Sequence, residues 1–350
     1  MIKTLLRRMI DRVDRLLLPV AGSSGLLASA YYLLLSRQFR REHRAVLKGR
    51  LAYRRGLESA RRSSPLLRRN IHRLEKALVM RPREPVFAED YVEETVLELR
   101  RLREAGSLDQ IEAKWAMDVL AEYFAAVRDT PRIADARAMF AGLGTDEQTP
   151  GTVPSSVPRC RTQGVRSGVS YEDFLALCRQ RRSVRWFEQR AVPREPVLQA
   201  LQAAAQAPSA CNRQPFLFRY FDRPEDAQRI AGIAMGTTGY AGNIPALVVL
   251  LGDLGCYPEE RDRHVPYIDA SLAAMQFMLA LETLGLASCP INWPDIEGRE
   301  RLMDRELALP RHLRPVMLIA LGYPDPAGGV PFSAKKSSEL LLRSENDYET

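Results

Sequence analysis

The chain lacks the residue patterns that build disulfide frameworks and metal centres. Its 350 residues include five cysteines, an odd number, which lie far apart and form no Cys-x-x-Cys motif. Its four histidines are scattered as well. Closely paired cysteines would indicate a secreted scaffold or a zinc knuckle, so their absence argues against both. We therefore expect no metal site and a reducing, cytoplasmic compartment.

Acidic residues are scarce in the N-terminal part of the chain. Residues 1–83 hold 21 Lys and Arg but 5 Asp and Glu, whereas the remainder holds 30 and 38. Such a basic segment is attracted to anionic lipid, nucleic acid or an acidic partner, or it is a solvated helical surface. Few aromatic residues alternate with these arginines and no known reader motif occurs, so we expect no nucleic-acid binding.

Residues 16–36, LLLPVAGSSGLLASAYYLLLS, carry no charge and are flanked by arginines. The run is long enough to span a bilayer, but Pro19 and the GSSG at 22–25 interrupt it. No clean cleavage site follows, so a removable signal peptide is not expected. Three interpretations stay open: insertion, an anchor lying on the membrane surface, and packing within the protein. The expected location is the cytoplasm or the inner face of a membrane, with residues 1–83 contacting anionic lipid.

The composition predicts two domains joined by a linker. Residues 37–140 look helical nearly throughout, as in 91–106 and in 107–129, where Ser107 is a plausible N-cap. Residues 142–169 are rich in Gly, Pro, Ser and Thr and predict a linker. We therefore expect a basic α-helical domain at 1–141, the linker at 142–169 and a second domain at 170–350.

The second domain mixes helices and strands. Ser170 and Asp173 resemble a capping box, which predicts that a helix starts there. A second helix is predicted after Pro193. The remaining predicted elements are strands at 216–221, 246–252 and 316–322, a buried helix at 269–286, and a Cys-Pro turn ending LGLASCPINW at 284–293. This mixture predicts an α/β or α+β domain.

Two polar stretches are the candidate binding elements. RRSVRWF at 181–187 places three arginines around a serine, and guanidinium forks with a hydroxyl suit a phosphate. The same run also fits a solvated helix end. APSACNRQPF at 207–216 is a polar turn that can hydrogen-bond a planar heterocycle, or an ordinary loop. Lys335 and Lys336, after the last strand, either add to a phosphate site or are tail lysines.

The chain resembles the nitroreductase family of flavoproteins in five elements that occur in the family's order. They are RRSVRWF, APSACNRQPF, a strand ending in VVLLG, a buried helix running into GLASCPI, and a strand ending in LGYP. The resemblance covers residues 172–345. It implies an α+β fold, a mixed sheet flanked by helices, preceded here by the α-helical N-terminal domain. It also implies FMN bound at the interface of a homodimer, NAD(P)H as the reductant and a small-molecule substrate.

The resemblance implies a set of cofactor-binding residues and no catalytic side chain, because flavin itself performs the redox chemistry. The first group would bind the phosphate and ribityl chain, with its last member near the pyrimidine edge: Arg181, Arg182, Ser183 and Arg185. The second would contact the ring from the other subunit: Pro208, Ser209, Asn212 and Gln214. The third would turn its backbone N–H groups toward flavin N5 and O4: Pro290, Ile291 and Asn292. Lys335 or Lys336 would close the phosphate site.

The chain departs from the family at two places. Trp293 stands where the family often has a small residue, and it either fills space over the flavin or packs in the core. Residues 253–268 are shorter than the helical insertion of many members, so the N-terminal domain is a candidate cover. The polar residues that would reach the site are His72, Glu75, Lys76, Arg81 and Arg83; otherwise they belong to a surface helix with internal ion pairs.

The function implied is that of an FMN-dependent oxidoreductase. Hydride would pass from NAD(P)H to FMN and then, in a ping-pong sequence, to an unidentified organic acceptor. One alternative is a flavoenzyme of this fold that catalyses a specialised dehydrogenation or reductive step in a biosynthetic pathway. The other is a flavin-fold scaffold without catalysis.

Overall fold

The structure is a computed structural model that describes residues 16–36, 38–59, 62–144 and 155–342. Its first part is helical. Residues 16–21 are helical and are followed by α1 (Gly25–Leu34), α2 (Arg40–Gly56), α3 (Pro65–Leu78), α4 (Val92–Glu104), α5 (Gln110–Ala126) and α6 (Pro131–Ala141). The N-cap of α5 is Asp109, whose side chain accepts from two backbone amides, so the prediction of Ser107 was wrong.

Helices α3 to α6 enclose a core of their own. Its largest fully buried side chains include Leu67, Ile71, Leu99, Leu120 and Tyr123. These residues recur at helical spacing, so each helix turns one apolar face inward. Of the predicted linker, residues 145–154 lie outside the described residues, and residues 155–169 contain a single 3₁₀ turn at Arg161–Gln163. The division into domains stays a prediction.

The second part of the chain is an antiparallel sheet with helices on both faces. The helices are α7 (Tyr171–Gln180), α8 (Arg194–Ala204), α9 (Pro224–Ala231), α10 (Val265–Thr283), α11 (Glu297–Leu307) and α12 (Ser338–Leu341). The strands are β1 (Phe216–Phe221), β2 (Ala246–Asp253), β3 (Ala287–Asn292) and β4 (Leu313–Gly322), in the order β1-β2-β4-β3. The α+β class is thereby confirmed. The named strands pair antiparallel, and Ser183 adds one parallel bridge to Ser288.

The two faces of the sheet form two hydrophobic clusters. Side chains alternate between faces along a strand, so Leu247 and Val249 pack with α9 and α11, while Val248 and Leu250 pack with α8 and α10. Both faces are covered, which explains why β2 is apolar without interruption from Ala246 to Leu251.

The structure confirms one local prediction for this part of the chain and contradicts another. Ser170 caps α7 as predicted, and its hydroxyl accepts from the amide of Asp173 at 3.0 Å. The predicted Cys-Pro turn was wrong, because β3 runs straight through Cys289 and Pro290. Proline is tolerated there because β3 is an edge strand, where one missing N–H need not break a ladder.

The uncharged segment at 16–36 forms two short helical pieces. Residues 22–24 separate them, and the hydroxyl of Ser24 caps α1. Across the described ranges, no helix has the length and apolarity needed to cross a membrane. Every residue of α1 is at least partly accessible, and Leu26 and Leu34 are 82% and 74% exposed.

Helix α2 packs on residues 253–268. This is the stretch that is shorter here than the helical insertion of many family members. A Cβ on Gly49 would lie 2.7 Å from Cβ of Leu254, so this close approach requires glycine. Arg50 donates to the carbonyl of Pro258 at 3.0 Å. The N-terminal helices therefore contact the sheet domain directly.

Candidate flavin-binding site

The arginine-rich stretch leaves α7 and runs beside the edge strand β3. Arg181 ends the helix, with its N–H donating to the carbonyl of Leu177. The amide of Val184 then donates to the carbonyl of Ser288 at 3.1 Å. These bonds fix Arg181, Ser183 and Arg185 next to Ser288 and Cys289, at the end of the sheet where β3 begins.

This corner contains polar groups that are buried and unsatisfied. Within the described ranges, Nε and Nη1 of Arg181 and Oγ of Ser288 have no hydrogen-bond partner. Burying such groups is unfavourable, and native proteins rarely leave them without a partner. A guanidinium and a hydroxyl are donors that match the oxygens of a phosphate. The corner therefore fits the phosphate end of a nucleotide such as FMN.

Arg185 lies beside two groups that stay protonated. Its guanidinium carbon is 5.8 Å from the ring centroid of Tyr240, whose hydroxyl is 4.0 Å from Sγ of Cys289. Burial raises the pKa of Tyr240 to about 12. Burial also raises the pKa of Cys289, although Arg185 and Arg181 oppose the shift. Cys289 is therefore a thiol at neutral pH and not a thiolate nucleophile.

Arg182 is bound to the C-terminal segment of the chain, whereas Lys335 and Lys336 are exposed to solvent. Nη2 of Arg182 donates to the carbonyls of Pro331 and Phe332, so this guanidinium holds the C-terminal segment against the corner. Lys335 and Lys336 follow a few residues later and are exposed. Their contact with a phosphate stays a prediction.

The second stretch forms a strained turn before β1. Cys211, Asn212 and Gln214 have φ values of 52°, 50° and 49°, in the left-handed region that favours glycine. Each such residue costs about 1–3 kcal/mol unless its surroundings hold it. Ser209 does so by accepting from the amide of Gln214 at 3.0 Å, and Pro208 is exposed at its start. Strain of this kind is concentrated at functional sites.

Three residues that the sequence analysis did not identify support this turn. Asp269, 3% exposed, accepts from the amide of Ala210 at 2.9 Å, and burial raises its pKa. The guanidinium of Arg213 is 4.6 Å from the ring centroid of Tyr257. The third is Arg68 of α3, which donates from Nε to the carbonyl of Asn212 at 2.7 Å. Asp269 was a sequence signal, because it is a carboxylate within the largely apolar stretch of α10, whereas nothing in the sequence connected Arg68 with the turn.

The third predicted group lies on β3. Pro290 is half-buried, Ile291 is buried and Asn292 is exposed. Trp293, which follows them, is 7% exposed within the sheet core and donates from Nε1 to Oε1 of Glu300 at 2.7 Å. Of its two interpretations, packing in the core is the observed one.

Of the polar residues predicted to reach the site from α3 and the segment after it, His72 and Glu75 pair with each other instead. Nδ1 of His72 is 3.5 Å from Oε2 of Glu75, whose other oxygen accepts from Nε1 of Trp115 at 2.9 Å. Internal pairing on a surface helix is thus the observed interpretation for His72 and Glu75. The others of this group are exposed: Lys76, Arg81 and Arg83.

Within a single chain the two candidate stretches are far apart. The strained turn precedes β1 at one edge of the sheet, and the arginines flank β3 at the other. Three strand spacings, about 14 Å, separate these edges, and the level of Phe216 lies about 20 Å along the strands from that of Ser288. Cavities of about 500 and 720 Å³ occur elsewhere, around Glu94 and around His43, and contain none of these residues.

Comparison with known proteins identifies relatives of the second part of the chain. The model of the Nitroreductase family matches residues 178–243 and 237–323. An Archaeoglobus fulgidus protein, provisionally described as an NADH dehydrogenase/NAD(P)H nitroreductase, is 30% identical over 155 residues, which cover 44% of this chain and 86% of that protein. Mouse iodotyrosine deiodinase 1 is 23% identical over 224 residues, 56% of this chain and 77% of that protein.

Among solved structures, the FMN-dependent nitroreductase of Clostridium difficile has a TM-score of 0.40 at 24% identity. The match covers 45% of this chain and 92% of that one. The N-terminal helices lie outside the residues that the family model matches. On the match of the family model and the relative at 30% identity, this chain belongs to the nitroreductase family.

Proposed function

We propose that this chain is an FMN-dependent oxidoreductase that uses NAD(P)H to reduce a small organic acceptor. The observation that carries the proposal is the pair of unsatisfied donors at Arg181 and Ser288 in a chain of this family. Bound FMN would supply the redox chemistry, accepting a hydride from NAD(P)H and passing electrons to the acceptor in a second half-reaction.

The residues of the chain have binding and orienting roles in this proposal. Arg181 and Ser288 neutralise and hydrogen-bond the phosphate, and Arg185 adds a positive charge beside it. The protonated Cys289 and Tyr240 contribute no negative charge to oppose the anion. The strained turn offers rigid polar groups to the ring, so that little conformational entropy is lost on binding.

The site requires a second copy of the chain. A single FMN is shorter than the diagonal that separates Arg181 from the strained turn within one protomer. Helix α10 also exposes an apolar stripe at helical spacing, formed by Ile268, Leu272 and Met275, which are 57%, 43% and 39% exposed. An exposed apolar stripe on an otherwise buried helix indicates a protein interface. A two-fold dimer would bring the turn of one protomer to the arginines of the other and form two equal sites.

The visible absorption spectrum of the purified protein, followed by identification of any released chromophore, tests the function. We expect flavin bands, FMN on denaturation, and bleaching of the bands by NADH or NADPH under anaerobic conditions. The double variant Arg181→Ala, Arg185→Ala should lose FMN, because the phosphate loses its counter-charges. A colourless protein that FMN does not reconstitute would contradict the proposal and favour the scaffold alternative.

A second candidate function differs from the first in the compound that accepts electrons from the reduced flavin. The match to iodotyrosine deiodinase 1 extends over a larger share of this chain than the match to the archaeal relative. A halogenated phenol is therefore a second class of acceptor, alongside nitroaromatics and quinones. Single-turnover oxidation of the reduced protein by each class ranks them. Failure of NAD(P)H to bleach the flavin would instead favour a specialised dehydrogenation.

We also propose that the N-terminal segment contacts anionic membrane surfaces. Leu26 and Leu34 are highly exposed, and residues 1–83 carry a large positive surplus, a combination typical of interfacial helices. The full chain should sediment with vesicles containing phosphatidylserine and not with neutral vesicles. The variant Leu26→Glu, Leu34→Glu should lose this binding, and equal sedimentation of both proteins would refute the contact.

A further inference from the structure

Helix α3 of the N-terminal part contacts the strained turn through one side chain. Nε of Arg68 donates to the carbonyl of Asn212 at 2.7 Å, and its Nη1 donates to Oε2 of Glu112 at 2.9 Å. The side chain of Arg68 is 15% exposed and that of Glu112 is 4% exposed. The two bonds are therefore largely shielded from solvent, where charge-assisted hydrogen bonds are strongest.

Glu112 is itself fixed within the helical part. Its carboxylate accepts from the hydroxyl of Ser63 at 2.7 Å and from the amide of Ser64 at 3.0 Å. The guanidinium of Arg68 also lies 5.3 Å from the ring centroid of Trp115. Arg68 is thus held from the helical side, which leaves Nε to orient the carbonyl of Asn212.

The carbonyl that Arg68 binds belongs to a residue in a strained conformation. Asn212 has φ of 50°, and neighbouring Cys211 has φ of 52°. A planar guanidinium can satisfy Asn212 and Glu112 with two separate N–H groups in a fixed geometry, which the single ammonium of lysine cannot reproduce. Loss of this bond would release one of the contacts that hold the turn in place.

We propose that Arg68 is a positioning residue: through it the N-terminal helices fix the Ser209–Gln214 turn and thereby the flavin ring that the turn contacts. The inference rests on the proposed function. It gives the N-terminal helices a role in the redox site, and in a dimer this role acts on the flavin bound by the arginines of the partner subunit.

The test compares full-length holoprotein carrying Arg68→Lys with wild type. Lysine keeps a positive charge beside Glu112, so we expect a melting temperature close to that of wild type. We expect the visible circular dichroism of bound FMN to change and its reduction by NADPH, measured by stopped flow at full occupancy, to slow by about tenfold, the factor one charge-assisted hydrogen bond is worth. Arg68→Ala should show a larger effect, and Arg68→Lys decides the test where the alanine variant does not fold.

Arg73→Ala is the matched control. Arg73 lies on the same helix, with its guanidinium 3.7 Å from the ring centroid of Tyr91 inside the helical part. It should lower the melting temperature without changing the flavin spectrum or the reduction rate. Wild-type spectrum and rate in Arg68→Lys would overturn the inference, as would equal changes in Arg73→Ala. Absence of FMN from wild type would instead refute the proposed function, so the two failures are distinct.

Discussion

Replacing Arg181 by methionine should have opposite effects on the free protein and on cofactor binding. Methionine keeps most of the aliphatic stem and removes the guanidinium. Since Nε and Nη1 of Arg181 are buried without partners in the described part of the chain, their removal relieves a desolvation cost. Burying a polar group such as this guanidinium without hydrogen-bond partners costs about 1–3 kcal/mol. We therefore expect cofactor-free Arg181→Met to be more stable than cofactor-free wild type by about 1–3 kcal/mol.

The same substitution should abolish the stabilisation that FMN provides. A ligand present at about 1,000 times its Kd stabilises the folded state by about 4.1 kcal/mol, which exceeds the gain of about 1–3 kcal/mol expected for the free variant. For a domain of this size, each kcal/mol raises the melting temperature by about 2–4 °C. Melting curves with and without FMN should therefore cross: the variant melts higher than wild type without FMN and lower with saturating FMN.

Arg182→Met is the control for this reasoning. Arg182 lies next to Arg181, but its guanidinium is hydrogen-bonded to the carbonyls of Pro331 and Phe332. Its removal should leave the free protein no more stable than wild type. The reasoning is refuted if free Arg181→Met melts below free wild type, or if FMN still raises its melting temperature by the wild-type amount.

Three further predictions test other contacts. Gly49→Ala should lower the free energy of unfolding by about 1–3 kcal/mol, because the new Cβ would lie 2.8 Å from the carbonyl oxygen of Leu254 and push α2 away from it. Faster hydrogen exchange in residues 40–56 would show this loosening. Hydrogen bonds from Arg41 lower the pKa of Glu297 to about 2, so its stabilising contribution is complete above its ordinary value of 4.5 and is lost as the pH falls toward 2. Acid denaturation of Glu297→Gln should accordingly depend less on pH between 4.5 and 2, and an unchanged profile would contradict the assignment. Leu272→Glu should yield a monomer without FMN in size-exclusion chromatography, whereas a flavin-loaded dimer would exclude this face of α10 as the interface.

Local patterns in the sequence predicted most of the elements. The helix after Ser170 and the strands at 216–221, 246–252 and 316–322 were predicted because capping and continuous apolar runs are properties of neighbouring residues. The order of five short motifs identified the family. The Cys-Pro turn at 289–290 was mispredicted because proline usually ends a strand, and only the pairing with β4 made Pro290 an edge residue.

Tertiary structure decided the contents of the candidate site. Residue types alone indicated that the arginines at 181–185 suit a phosphate, but the unsatisfied atoms of Arg181 and Ser288 appear only when β3 lies beside the end of α7. The support of the turn by Asp269 and Arg68 likewise joins residues that are 59 and 144 positions apart in sequence. Sequence periodicity reports which face of an element is apolar, whereas contacts between distant polar side chains depend on how those elements pack, and packing is a property of the whole chain.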